Sequence, residues 1–289
     1  MTTGMKYGER GQVLLIVVLV MVVSLTIGLS VISRSITNVR TSTDEANSAE
    51  ALAAAEAGIQ QTLQSGASNT GSFSNNNTQF STTVEDAVTT NIPLNNGSVV
   101  IKDEGIDLWL VPHDSDGNPD YSTPWGSNAT VSLYWGEIDS GLPSSCDEYE
   151  AALEILVVSG TPNSNPASIT AKRYAVDPCH LVDSTRTSNS FGDPSAVNGS
   201  FSAGGTQFRN RFDVTNITNG LVIRIIPVYF NTVIAAQPSG GSPPLPSQGS
   251  IIVSTGTAGD VKRKLNVFQG YSYLPIEFTS YGIFSPSDE

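Results

Sequence analysis

Hydrophobic positions fall into three regimes along the chain: one unbroken block, one stretch with helical spacing, and a long series of short bursts. The block is Val13 to Ile32, twenty residues without a charge, interrupted only by Ser24, Thr26, Gly28 and Ser30. As a helix it is about 30 Å long, the thickness of a bilayer's hydrocarbon core. Valine is a poor helix former in water, but in lipid a single segment can satisfy its backbone only as a helix. A secretory signal peptide has an apolar region of about 7–15 residues ending at a small-x-small site, and this run is longer and has no such site.

Ser33 to Gln64 lacks proline, contains a single glycine (Gly58) and is rich in Ala, Glu and Gln. Its apolar positions Ala46, Ala49, Leu52, Ala53, Ile59 and Leu63 recur at spacings of three, four or their multiples, which predicts an amphipathic helix continuing the apolar block. From Gln12 to Gln64 that helix would be roughly 80 Å long. Residues 65–83 form a Ser/Asn/Gly/Thr tract with few apolar residues and are expected to be an exposed link.

Beyond it the period changes. Ser98–Lys102, Ile106–Val111, Thr130–Trp135, Leu153–Val158, Ile169–Val176, Gln207–Val214, Leu221–Phe230, Ile251–Thr255 and Val261–Phe268 read as strands separated by turn residues. The Pro/Gly/Ser segment Gln237–Ser250 is expected to be a loop. The predicted fold is α+β. Residues 1–11 are a leader, 12–64 a long helix (membrane span 13–32, amphipathic part 33–64), 65–83 a link and 84–289 a mainly antiparallel, β-rich extracellular head.

Charge orients this plan. Lys6 and Arg10 precede the apolar block and an acidic chain follows it, so the positive-inside rule places the N-terminus in the cytoplasm and the head outside a single-pass cytoplasmic membrane. The chain carries 14 Lys+Arg against 27 Asp+Glu, net −13, which argues against nucleic acid as the main partner. The two cysteines, Cys146 and Cys179, both lie in the outer portion, where an oxidising environment favours a disulfide over two thiols. Its loop of about 34 residues would contribute about 3–4 kcal/mol.

Candidate chemistry is sparse. His113 and His180 belong to no catalytic motif, and no enzyme activity is expected. Around Gly117, the carboxylates Asp114, Asp116 and Asp120 are the ligand type calcium prefers, although an EF-hand glutamate is missing and a plain turn needs the same residues. No other cofactor is expected. Trp109, Trp125, Trp135 and Tyr134 could form a sugar-binding face or simply pack. Lys262-Arg263-Lys264 reads as a solvated strand end, and Asn76, Asn96, Asn128, Asn198 and Asn216 head N-x-S/T sequons.

The Gly11-Gln12 junction behind a short basic leader, the opening RGQVLLIVVLVMV and the later Ala53-Ala54-Ala55-Glu56-Ala57-Gly58-Ile59 resemble type IV pilin-like proteins. They are similar to PilX-type minor pilins and to the K-type pseudopilin of type II secretion. The resemblance covers about the first 60 residues; the tail GDVKRKLNVFQGYSYLP also looks like the last strand of large minor pilins. It implies that a prepilin peptidase cuts between Gly11 and Gln12 and methylates the Gln12 amine. The mature helix would then leave the membrane and pack with other pilin subunits into a filament. Major pilins carry a glutamate at the fifth mature position, here Ile16, and that departure points to a minor subunit. The expectation is a non-enzymatic minor pilin or pseudopilin; the alternative is a permanently anchored surface protein with a glycan- or protein-binding head.

Overall fold

The computed structural model describes residues 9–73, 77–87, 92–114, 116–138, 150–180, 186, 189–197 and 199–273. Helix α1 (Glu9–Ser65) is followed by strands β1 (Thr70–Phe73), β2 (Thr78–Asp86) and β3 (Ile92–Pro93), a 3-10 turn (Leu94–Gly97), β4 (Ile106–Trp109), β5 (Ala129–Glu137) and β6 (Ala152–Thr161). Then come β7 (Asn165–Val176), β8 (Phe201–Ala203), β9 (Thr206–Ile217), β10 (Gly220–Val228), β11 (Ile234–Ser239), β12 (Gly249–Ala258) and β13 (Val261–Gly270). One long apolar N-terminal helix and a β-rich antiparallel domain make this an α+β chain. It divides into two compact units: one holds the helix up to Gln64 with Ser68–Thr82 and Val253–Leu265, the other holds Ser65–Ala67, Thr83–Ile252 and the chain from Asn266 on.

In the first unit α1 has two different halves. Every Val, Leu, Ile and Met from Val13 to Ile32 is 49–70% exposed, and the helix is long and apolar enough to cross a membrane. Its C-terminal half buries Ala51, Ala54, Ala55, Gly58, Ile59 and Thr62. Of the apolar stripe expected from spacing, Ile59 is buried, whereas Ala46, Ala49, Leu52, Ala53 and Leu63 are exposed. An alanine-rich run allows several stripes at helical spacing, and close approach to a sheet selects the one with the smallest side chains.

That sheet has the order β1-β2-β12-β13. Thr78, Phe80 and Thr82 on β2, and Ser254, Gly256 and Ala258 on β12, alternate as its buried positions, the period of a strand with one covered face. The contact is close. Ser254 Oγ donates to the Ala55 carbonyl at 2.7 Å and the Thr62 and Thr82 hydroxyls meet at 2.7 Å. A Cβ on Gly58 would lie 2.6 Å from Ser254 Oγ, and one on Gly256 would lie 1.9 Å from the Ala51 carbonyl oxygen. Two strands, β1 and β2, therefore start within the stretch 65–83 expected to be an exposed link. The small and hydroxylated residues that looked too polar for a core are those that fit beneath a helix packed at backbone distance.

The second unit contains two further sheets, β4-β10-β6-β7 and β3-β11-β5-β9-β8. Every strand pair with a described register is antiparallel. Leu108, Ile155, Ile223 and Ile225 from one sheet share a core with Leu133, Trp135, Val214 and Ile234 from the other. Each set comes from alternate positions, as in a β-sandwich. Two expectations shift here. Ser98–Lys102 contributes only the bridge Val100↔Thr232. Part of the Pro/Gly/Ser segment is strand: Pro238 of β11 pairs opposite Val131, beyond the two residues that β3 bonds, so on that side no ladder partner needs its missing N–H.

Candidate functional site

Gly11 and Gln12 lie in the first turns of α1; residues 1–8 lie outside the described residues. Ile16 belongs to the exposed apolar half.

The aspartate loop is a closed turn. The Asp116 and Asn118 amides donate to Asp114 Oδ1 at 2.9 and 2.8 Å, the Gly117 amide donates to the Asp114 carbonyl at 3.0 Å, and Gly117 has φ +79°. The Ser122 amide donates to Asp120 Oδ1 at 2.9 Å. The Asn118 amide holds the Asp114 carboxyl below its ordinary range, and bonds from Ser122 do the same for Asp120. No group of three or more His, Cys, Asp or Glu able to hold a metal occurs among the described residues. The carboxylates of Asp114 and Asp120 accept from backbone amides, as these residue types do in a turn.

Cys179 is fully buried, and no described cysteine is free; Cys146 lies outside the described residues. Around Cys179 is a buried polar cluster that sequence reading did not find. Arg186 donates to the Glu150 carbonyl at 3.0 and 2.9 Å and pairs with Asp177 at 3.2 Å, while its guanidinium sits 4.2 Å from the Tyr229 ring centre. Asp177 also accepts from the Cys179 amide and from Asn189. The Glu150 side chain accepts from Asn210 at 2.8 Å and pairs with Arg209 at 3.4 Å. Each ion has several partners, the condition under which burial of charge is tolerated. The cluster fastens the Cys179 loop to the sandwich.

Trp109, Trp125, Trp135 and Tyr134 are all buried, so they do not form an exposed sugar-binding face. Trp125 and Trp135 donate their Nε1 hydrogens to the Pro244 and Ala151 carbonyls. Asn96, Asn128 and Asn216 are exposed at φ 52°, 60° and 60°, left-handed turn positions that asparagine tolerates; Asn76 and Asn198 lie outside the described residues. Lys262, Arg263 and Lys264 are exposed on β13, an outer strand of its sheet, and Arg263 Nε donates to Ser48 at 2.8 Å.

The second unit has a recess beside β4, a cavity of about 470 Å³. Its aromatic lining is Trp109, Phe268, Tyr271 and Tyr273, and its polar lining includes Asn95, Asn96, Thr206 and Asp107. Gln248 builds the back wall: its Oε1 accepts from the Trp109 amide at 2.8 Å and its Nε2 donates to the Trp109 carbonyl at 2.8 Å. Asp107 pairs with Arg224 at 3.4 Å, and both are buried. Tyr271 stacks on His113 at 3.8 Å, and His113 meets Trp109 edge-on at 4.7 Å. Burial lowers the His113 pKa below 6.5, opposed by the Val111 carbonyl and the Asp114 charge; burial, then Asp107, raises that of Tyr273. Asn95, Asn96 and Gly97 all have positive φ, so the rim turns sharply over the opening. Trp109 was the one aromatic liner that the sequence offered for sugar binding, and Asn96 and His113 were noticed there for other reasons; the set was not legible because it converges from segments far apart in the chain.

Comparison with protein families, curated proteins and solved structures finds no match.

Proposed function

We propose that the chain is a non-enzymatic minor pilin or pseudopilin, a subunit of a type IV pilus-like filament assembled through α1. The observation that carries this reading is the division of that helix. Val13–Ile32 is apolar and exposed on every side, while the continuous second half is seated on the chain's own sheet through Ala51, Ala54, Ala55 and Gly58. Such a helix suits storage in lipid followed by packing among like helices, because both environments cover the same apolar surface. The Gly11-Gln12 junction behind Lys6 and Arg10 supplies the processing site for a prepilin peptidase, with the N-terminus inside and the head outside. Ile16 in place of an acid favours a rare subunit over the major one.

A Cys146–Cys179 disulfide belongs to the same reading. Cys179 is buried and not free, and the chain has two cysteines.

Mass spectrometry of the mature N-terminus tests the proposal. It expects a chain that begins at Gln12 with one added methyl group, and a Gly11→Ala variant that stays uncut. An intact Met1, or a cut at another bond, refutes it and favours a permanent anchor.

A further inference from the structure

The cavity beside β4 has no role in cleavage or filament packing, yet its walls are chemically sorted. Tyr271 and Tyr273 line it with aromatic rings, one face of Tyr271 being covered by His113; Asn95 and Asn96 bring amides, and Thr206 a hydroxyl. Among the described lining residues there is no Lys, Arg or His, while two carboxylates are present, Asp86 and Asp107; an anionic ligand finds no counter-charge there. A hydrocarbon chain would strip water from the amides and carboxylates without replacing their hydrogen bonds. An organic cation gains little either, because Asp107 is already neutralised by Arg224 and Asp86 is exposed to water.

A ligand that is neutral, presents C–H groups on one face and carries groups that both donate and accept along its edge suits the aromatic and the polar lining together, with Leu94, Ile106 and Ile251 against its C–H groups. Hydroxyls on a pyranose ring do this. The volume, about 470 Å³, lies in the range of small-ligand pockets and leaves room for a mono- or disaccharide. We infer that this cavity is a binding site for a neutral saccharide, with Tyr273 as the stacking wall and Asn96 as the hydrogen-bonding rim. It differs from the exposed Trp face suggested by sequence, since the rings come from the β13 end and the segment after it.

Two variants test it without disturbing the fold. Tyr273 is half exposed, so Tyr273→Ala removes a ring face and little packing. Asn96 has φ +52°, so Asn96→Gly removes the amide and keeps the turn. The full-length protein, held in a polyoxyethylene detergent that bears no sugar headgroup, is applied to an array of defined neutral oligosaccharides. Hits are then titrated by tryptophan fluorescence with the corresponding methyl pyranosides. The expected result is binding of at least one neutral saccharide, weakened about tenfold or more by each substitution at unchanged melting temperature. No binding anywhere on the array overturns the inference, as does binding that both variants retain. So does a fluorescence response to tetramethylammonium chloride in place of sugar. None of these outcomes depends on whether the leader is cleaved.

Discussion

Replacing Gly256 by alanine puts one methyl group where the first unit has no room. The new Cβ would lie 1.9 Å from the Ala51 carbonyl oxygen and 2.6 Å from the Ala55 nitrogen, whereas ordinary contact begins at 3.4 Å. Both obstacles are helix backbone in α1, so no side-chain rotation can relieve them, and β12 and the helix must separate locally by about 1.5 Å. Overpacking of this kind costs about 1–3 kcal/mol. A separation of that size also breaks the 2.7 Å bond from Ser254 to the Ala55 carbonyl and leaves a buried hydroxyl without that partner, about 1 kcal/mol more. Together the loss is about 2–4 kcal/mol, or about 5–15 °C in Tm for a protein of this size. The assay is amide hydrogen exchange on the full chain in micelles, with a thermal melt beside it. Exchange should rise in β12 and around residues 51–62. Gly28→Ala is the control, since a Cβ there meets nothing within 4 Å. If Gly256→Ala exchanges and melts like Gly28→Ala, close helix–strand packing is not what holds this unit together.

Arg186→Met removes the cation between Glu150 and Asp177 and leaves a buried carboxylate short of its counter-ion; chemical denaturation should show a loss of about 3–5 kcal/mol, with Arg186→Lys recovering little because it lacks the planar fork. Since the His113 pKa is lowered in the folded state, the unfolded chain binds the extra proton first. Stability is therefore full above about pH 6.5 and declines as pH falls toward the folded value, a slope that His113→Phe should abolish in melts between about pH 8 and pH 5 while keeping the stack on Tyr271. Non-reducing peptide maps should join Cys146 to Cys179, and reduction should cost about 3–4 kcal/mol; identical maps with and without reductant would exclude the bridge.

Period was the legible part of this chain. The charge-free block and the change from helical spacing to short bursts specified α1 and eight of the strand cores, because one covered face imposes a polarity repeat of 3.6 on a helix or 2 on a strand, whereas a helix apolar all round shows as an unbroken block. Val131, Leu133 and Trp135 on β5 carry that repeat openly, as do Leu153, Ile155 and Val157 on β6. β1 and β2 do not: β1 buries nothing fully and the buried positions of β2 are Thr78, Phe80 and Thr82, two of the three polar, so the stretch reads as loop until a helix is laid over it.

The site residues divide the same way. Gly11-Gln12 and the apolar run that follows form a local pattern, so the sequence by itself determined a helix able to enter a membrane and the junction on which the proposed processing rests. Which face of α1 touches the sheet was decided only by tertiary structure, because an alanine-rich helix offers several equivalent stripes and only the close approach of Gly58 to sheet side chains and of Gly256 to helix backbone distinguishes them. The cavity likewise exists only once β13, the 94–97 turn and Thr206 converge on Trp109. Period records whether a residue is covered. It carries no record of what covers it, and both the helix seat and the cavity are made of that second kind of information.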